Sequence, residues 1–144
     1  GLVRIWDTQQ KVSAQFRHLR QQLTAVAFHP LDGRHIAVGM RSGELTILQS
    51  VTLHDAPGLD KDVSFGRCEE HSTYRRSAIH ALRYSPDARF LALAVQDGLI
   101  DIQDAEHGYR HVRSLQGHWA GVLRLDWSID SGQAGRWMLH SSGE

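Results

Sequence analysis

A strand pattern punctuated by glycine recurs along this chain, and nothing else in the sequence restricts its fold so tightly. Arg41-Ser42-Gly43, Gln96-Asp97-Gly98 and Ser141-Ser142-Gly143 each follow a short apolar run, and the first two lead into another. They read as hairpin turns, because glycine supplies the positive φ that tight connections require. Glu44-Leu-Thr-Ile-Leu48 follows Gly43, Leu99-Ile-Asp-Ile-Gln103 follows Gly98, and Leu2-Val-Arg-Ile-Trp6 follows Gly1. Gly1, Gly43, Gly98 and Gly143 are thereby read as equivalent positions, separated by 42, 55 and 45 residues. A second register aligns Val26-Ala-Phe-His-Pro30, Leu82-Arg-Tyr-Ser-Pro86 and Leu125-Asp-Trp-Ser128 on their aromatics, 56 and 43 residues apart. Both registers leave the middle unit thirteen residues longer than its neighbour, and the excess falls between 51 and 76.

The unit is built from strands. Leu123, Leu125 and Trp127 alternate with Arg124, Asp126 and Ser128, which predicts a half-buried strand with those three apolar residues on one face. Ile36–Met40 and Phe90–Val95 are apolar throughout and rich in small residues, as a central strand packed on both sides would be. Val12–Phe16 and His111–Leu115 are more polar and belong at an exposed edge. Four strands in a period near 43 match the blade of a β-propeller, whose repeat runs to about 40–45 residues. The expected fold is all-β, a partial β-propeller of four-stranded antiparallel blades. Its parts are a half-blade over 1–16, a blade with an insertion over 23–76, a blade over 78–116 and a half-blade over 121–144. Twelve strands make three blades' worth, fewer than a closed ring needs, so the chain reads as a segment of a longer protein. The open faces of such a segment predict marginal stability when it is isolated.

Trp6-Asp7, closing a strand, and Gly117-His118, preceding the next unit, resemble the two signature dipeptides of WD-repeat propellers. The position of Trp6-Asp7 is Leu48-Gln49 and Gln103-Asp104 in the next units. Of the hydrogen-bonded set that the family uses, Asp97 occupies the turn position once, where Ser42 and Ser142 stand elsewhere. A narrower likeness covers residues 78–144. Ile79-His-Ala-Leu-Arg-Tyr-Ser-Pro-Asp87, Leu91-Ala-Leu-Ala94, Gly117-His118, Leu125-Asp-Trp-Ser128 and His140-Ser-Ser-Gly-Glu144 look like the echinoderm microtubule-associated protein-like family, in its atypical C-terminal propeller. That resemblance implies a non-catalytic interaction module of a cytoplasmic, cytoskeletal protein, with tubulin or microtubules and the remaining blades of the same chain as partners. The alternatives are a propeller scaffold for ciliary or signalling assemblies without tubulin contact, and a subunit that presents substrate within an enzyme complex.

Composition narrows the chemistry. Sixteen Lys and Arg balance sixteen Asp and Glu, which argues against a general nucleic-acid or anionic-membrane binder. No apolar run reaches the length of a membrane-spanning helix, and the single cysteine, Cys68, excludes an internal disulfide framework. No nucleophile elbow, phosphate loop, metalloprotease helix or EF-hand loop occurs, so neither enzyme nor cofactor is expected. Ten histidines prompt a search for metal sites. His107 and His111 flank a loop glycine without a second pair, and Cys68-Glu-Glu-His71 supplies half a zinc site at most. Asp55, Asp60 and Asp62 lack calcium-loop spacing.

Trp6, Tyr84 and Trp127 fall on strands of the repeat and are expected in the core. Asp7, Asp97, Gly117 and His118 are expected to be structural, His118 bracing its blade through a buried hydrogen bond. Trp119, in the loop after His118, is either a contact hot spot or folded back onto a blade. Arg41, Arg75 and Arg76 are expected on one rim, where they could meet an acidic surface. The 51–76 insertion either extends the outer strand, with Val63–Cys68 as that strand, or is a mobile loop carrying partner specificity; 63–70 is read as the strand and 53–62 as a disordered or loosely packed loop.

Overall fold

The computed structural model describes residues 1–56, 77–128 and 137–143. Those residues form eleven strands: β1 (Leu2–Asp7), β2 (Val12–His18), β3 (Leu23–Phe28), β4 (His35–Met40), β5 (Leu45–Gln49), β6 (Ile79–Tyr84), β7 (Phe90–Val95), β8 (Leu99–Asp104), β9 (Arg110–Gln116), β10 (Val122–Trp127) and β11 (Leu139–Gly143). Four antiparallel sheets result, ordered β1-β2, β3-β4-β5, β6-β7-β8-β9 and β10-β11. Each is a meander of sequence neighbours, and Gly33, Gly43, Gly98 and Gly108 take positive φ in four of the connections. The β6–β9 sheet is one full blade. The expected strand Val63–Cys68 lies outside the described residues.

Packing between blades follows a division of labour along each strand. Leu82, Tyr84, Leu91, Leu93 and Val95 form the bulky face of the β6–β9 blade, and they pack on Ala37, Leu45, Ile47 and the small Ala25 and Ala27 of the preceding one. On its other face Ala92, Ala94 and Ile100 receive Val122, Leu125, Trp127 and Leu139. Large against small lets the sheets close up. A Cβ on Gly39 would lie 2.7 Å from Ile79 Cγ2, so that seam admits no side chain there. The outer strands β2 and β9 are exposed along most of their length.

Three features differ from the sequence expectation. First, Leu123 is 42% exposed and does not share a face with Leu125 and Trp127. A bulge between Val122 and Arg124 shifts the register and turns Leu123 outward, while Val122 becomes the buried residue. The same bulge recurs between Leu23 and Ala25 and between Ile79 and Ala81. Second, Ser141-Ser142-Gly143 is not a turn but the end of β11, with Gly143 opposite Val122. Trp127 pairs with Leu139 where Tyr84 pairs with Leu91, so the first connection of the last unit is longer and Gly143 corresponds to Val95, not to Gly98. Third, 53–56 is not loose. Leu53 and Ala56 are buried, Asp55 bridges to Leu48, and Leu53 adopts φ 56. Lys11, Leu53 and Gly108 share that left-handed conformation at repeat-equivalent turn positions.

Candidate functional site

The connections fall at two rims. The turns after β4 and β7, and the link from β9 to β10, lie at what we term the upper rim; the turns after β3, β5, β6 and β8 lie at the lower. The upper rim is tightly built around residues 117–121. Gly98, at φ 86, sits so close that an added Cβ would lie 2.6 Å from the His118 carbonyl oxygen and 2.9 Å from that of Ala120. From the other side, a Cβ on Gly143 would lie 2.7 Å from Gly121 O and 3.1 Å from His118 Nδ1. His118 Nε2 and Ser141 Oγ share a hydrogen bond at 2.8 Å, which fixes the loop to β11. Between these clamps Trp119 projects with its side chain wholly in solvent. Of the two readings of this residue, folded back or outward, the structure has it outward.

Arg41 lies on the same rim in the turn after β4, exposed, with its backbone N–H donating to Gln22 O. Beside it an open cavity of about 360 Å³ is lined by Arg17, Arg20, Gln21, Met40, Glu44 and Asp55 among others. Its charges are mixed, and several are engaged: Arg17 donates to Leu53 O and Asp55, and Glu44 accepts from Gln21 and Ser42. Arg75 and Arg76 lie outside the described residues.

The other residues singled out in the sequence are scaffold or surface. Asp7 Oδ1 accepts the N–H groups of Gln9 and Gln10 at 2.8 and 2.9 Å, capping its turn, and Asp104 does the same for Glu106 and His107. Asp97 accepts the Leu99 N–H. Gly117 precedes the clamp in open space. Tyr84 is in the core; its hydroxyl bonds that of Tyr109 at 2.8 Å, and burial followed by that neighbour pushes its ionisation far upward. Trp127 packs at the seam with its Nε1 donating to Arg83 O. Trp6 departs from expectation: it is 58% exposed, and the Arg4 guanidinium lies 5.5 Å from its ring and 5.8 Å from that of Phe16. The β1–β2 pair turns this face away from the sheets that follow.

Among the described residues one group has metal-like spacing, Asp104, Glu106 and His107, whose ligand atoms lie within 4.8 Å. Its carboxylate is already committed to the turn N–H groups and to His107 Nδ1 at 2.9 Å, so it serves as a turn cap. His111 lies apart, bonded to Ser114, which donates to Asp101. Cys68 and His71 fall outside the described residues.

Sequence reasoning missed two residues. Trp137 Nε1 donates to Asp87 Oδ2 at 2.8 Å, tying the lower rims of two blades together. Burial alone would raise the Asp87 carboxyl, but hydrogen bonds from Ser85, Trp137 and the Arg89 N–H outweigh it and hold the group below the usual range. Gln103, at the position of Trp6 in the repeat, is buried, and its Oε1 has no hydrogen-bond partner among the described residues. Alignment of the repeat marks Gln103 as the exception at its position, whereas Trp137 has no repeat counterpart to flag it.

Comparison with known proteins gives this architecture a lineage. The family model of the anaphase-promoting complex subunit 4 WD40 domain matches residues 59–130. The 77 kDa echinoderm microtubule-associated protein of Strongylocentrotus purpuratus is 33% identical over 130 residues, 88% of this chain and 17% of its own length. That of Lytechinus variegatus is 28% identical over 130 residues, 88% of this chain and 18% of its own. Human echinoderm microtubule-associated protein-like 3 is 28% identical over 144 residues, 97% and 14% respectively. The chain thus spans less than a fifth of the length of these curated relatives. Among solved structures, RRP9 WD40 repeats superpose with a TM-score of 0.59 at 17% identity, covering 76% of this chain and 30% of that one. The clamped glycine turns, the His118–Ser141 bond, the meandering four-stranded blade and these matches together place the chain in the WD40-repeat family of β-propellers, a protein-interaction fold.

Proposed function

We propose that this WD40 segment is a non-catalytic interaction module of a microtubule-associated protein of the cytoplasmic cytoskeleton, and that its upper rim contacts the partner through Trp119 and Arg41, with Arg75 and Arg76 contributing. The observation that carries the contact is Trp119, a fully exposed indole on a loop held between Gly98 and Gly143. A rigid aromatic anchor binds without first losing its own conformational freedom, which is why such residues dominate interfaces. The microtubule reading draws on the names of the curated relatives. A second reading, a general assembly scaffold without tubulin contact, is favoured by the balanced net charge. The exposed Val26 and Phe28, whose repeat equivalents Leu82 and Tyr84 are buried against the preceding sheet, lie on the face that β1 covers only in part, which supports further strands beside β1 as their cover.

The test is co-sedimentation of the full-length protein with microtubules at several salt concentrations. Trp119→Ala should weaken binding about tenfold or more, the scale of an interface hot spot. Charge reversal at Arg41, Arg75 and Arg76 should weaken it further and flatten its salt dependence. Binding indifferent to all four substitutions removes the upper rim as the contact.

A further inference from the structure

The repeat makes one blade a built-in control for the next. At the lower rim of the β6–β9 blade, Arg89 Nε meets Glu106 Oε2 at 3.4 Å, joining the turn after β6 to the turn after β8. The β3–β5 blade has the same backbone at this place. The His29 N–H donates to His35 O as the Ser85 N–H does to Phe90 O, and the Ser50 N–H to Arg34 O as the Ala105 N–H does to Arg89 O. The Arg34 N–H donates to Asp32 Oδ1 as the Arg89 N–H does to Asp87 Oδ1. Gly33 and Ala88 share a left-handed φ of 58 and 61. Arg34 is therefore the equivalent of Arg89, Val51 of Glu106, and Leu31 is one extra residue set between Pro30 and Asp32.

The chemistry at these matched positions differs. Where the β6–β9 blade has a glutamate, Val51 is 76% exposed, and the inserted Leu31 is 70% exposed. Arg34 has the place of an ion-paired arginine without its glutamate. Asp32 has the turn-capping role that Asp87 has beside Arg89: its Oδ1 accepts the Arg34 backbone N–H and meets His29 Nδ1 at 2.8 Å, and among the described residues no ion pair joins its carboxylate to the Arg34 guanidinium. Two bare aliphatic side chains therefore flank a guanidinium whose repeat equivalent holds a carboxylate.

We propose that this lower rim docks an extended segment of a partner protein carrying a carboxylate flanked by aliphatic side chains. The carboxylate takes on Arg34 the place that Glu106 takes on Arg89, and the aliphatic groups cover Leu31 and Val51. An exposed ion pair alone contributes little in water. Apolar cover that excludes water strengthens it and gives the pair its selectivity. This surface is on the rim opposite Trp119, so it stands or falls separately from the microtubule reading.

The probe is a labelled decapeptide alternating Leu and Glu, titrated by fluorescence anisotropy against the full-length protein, with Gln-for-Glu and Lys-for-Glu versions alongside. The Leu/Glu peptide should bind and weaken with added salt, the Gln version should bind about tenfold less tightly, and the Lys version not at all. Val51→Glu installs the ion pair of the β6–β9 blade on Arg34, so it should weaken the Leu/Glu peptide at least tenfold without lowering the thermal midpoint. Arg34→Gln should weaken it similarly, whereas Arg89→Ala in the other blade should leave it unchanged. The proposal is overturned if no peptide binds at millimolar concentration, if the Gln peptide binds as well as the Glu one, or if Arg34→Gln and Val51→Glu retain full affinity.

Discussion

Gly98 and Gly108 allow the closeness of the upper-rim clamp to be separated from the cost of a left-handed backbone. Both adopt positive φ, 86 and 73, so alanine at either position meets the same conformational penalty of about 1–2 kcal/mol. Their surroundings differ. A Cβ at 108 meets nothing within 4 Å, whereas one at 98 would overlap two backbone carbonyl oxygens, at 2.6 and 2.9 Å, that cannot rotate aside. Forced overpacking of that kind adds about 1–3 kcal/mol, so Gly98→Ala should destabilise by about 2–5 kcal/mol and Gly108→Ala by about 1–2. The chain already carries alanine in a left-handed turn at Ala88, φ 61, which shows that the conformational part is tolerable. Urea unfolding followed by tryptophan fluorescence gives both values from one experiment. Gly98→Ala should also change the quenching of Trp119 by acrylamide, because the loop must move to relieve the overlap. Equal losses for the two variants would refute the reasoning, since the clamp would then contribute nothing beyond the φ requirement.

Two further outcomes follow from packing and charge. Leu82→Ala, at the seam between two blades, should cost about 2–5 kcal/mol in thermal or urea unfolding, while Leu123→Ala should cost much less because the bulge leaves that side chain 42% exposed. Asp87 has its carboxyl held below the ordinary value of 3.8, so its contribution is present above that pH and is lost as pH falls through the lower folded-state value. Asp87→Asn should therefore lower stability at neutral pH and flatten its decline on the acid side of about pH 4. A difference from wild type that is the same at every pH would show that Asp87 is not held as its contacts to Ser85 and Trp137 imply.

Much of this fold is legible one residue at a time. Alternation, glycine placement and the recurring aromatic follow from the pleat and from φ, which are local properties of the chain. That is why the central strands and the exposed outer strands β2 and β9 could be expected, whereas the expected brace at His118 comes from the resemblance to WD-repeat propellers. The errors arise where local pattern and pairing part company. Leu123 fits a period of two, but one extra residue in a bulge reverses every face beyond it. Ser141-Ser142-Gly143 has turn composition, yet β10 recruits it as a strand, because pairing depends on the length of a connection that carries no periodic signal.

The site shows the same division. That residue 119 is a tryptophan in a loop is written in the sequence; that its indole stands in solvent is not. Exposure there depends on backbone brought from residues 98 and 143, each more than twenty positions away. At the lower rim, likewise, Arg34, Leu31 and Val51 are unremarkable in sequence. They become a candidate surface only when matched hydrogen bonds show which residues of the neighbouring blade they replace. The sequence determined the strand unit, its period and its kinship. Tertiary structure alone decided which faces are covered, because burial is set by neighbours distant along the chain and a one-residue shift in pairing exchanges inside for outside.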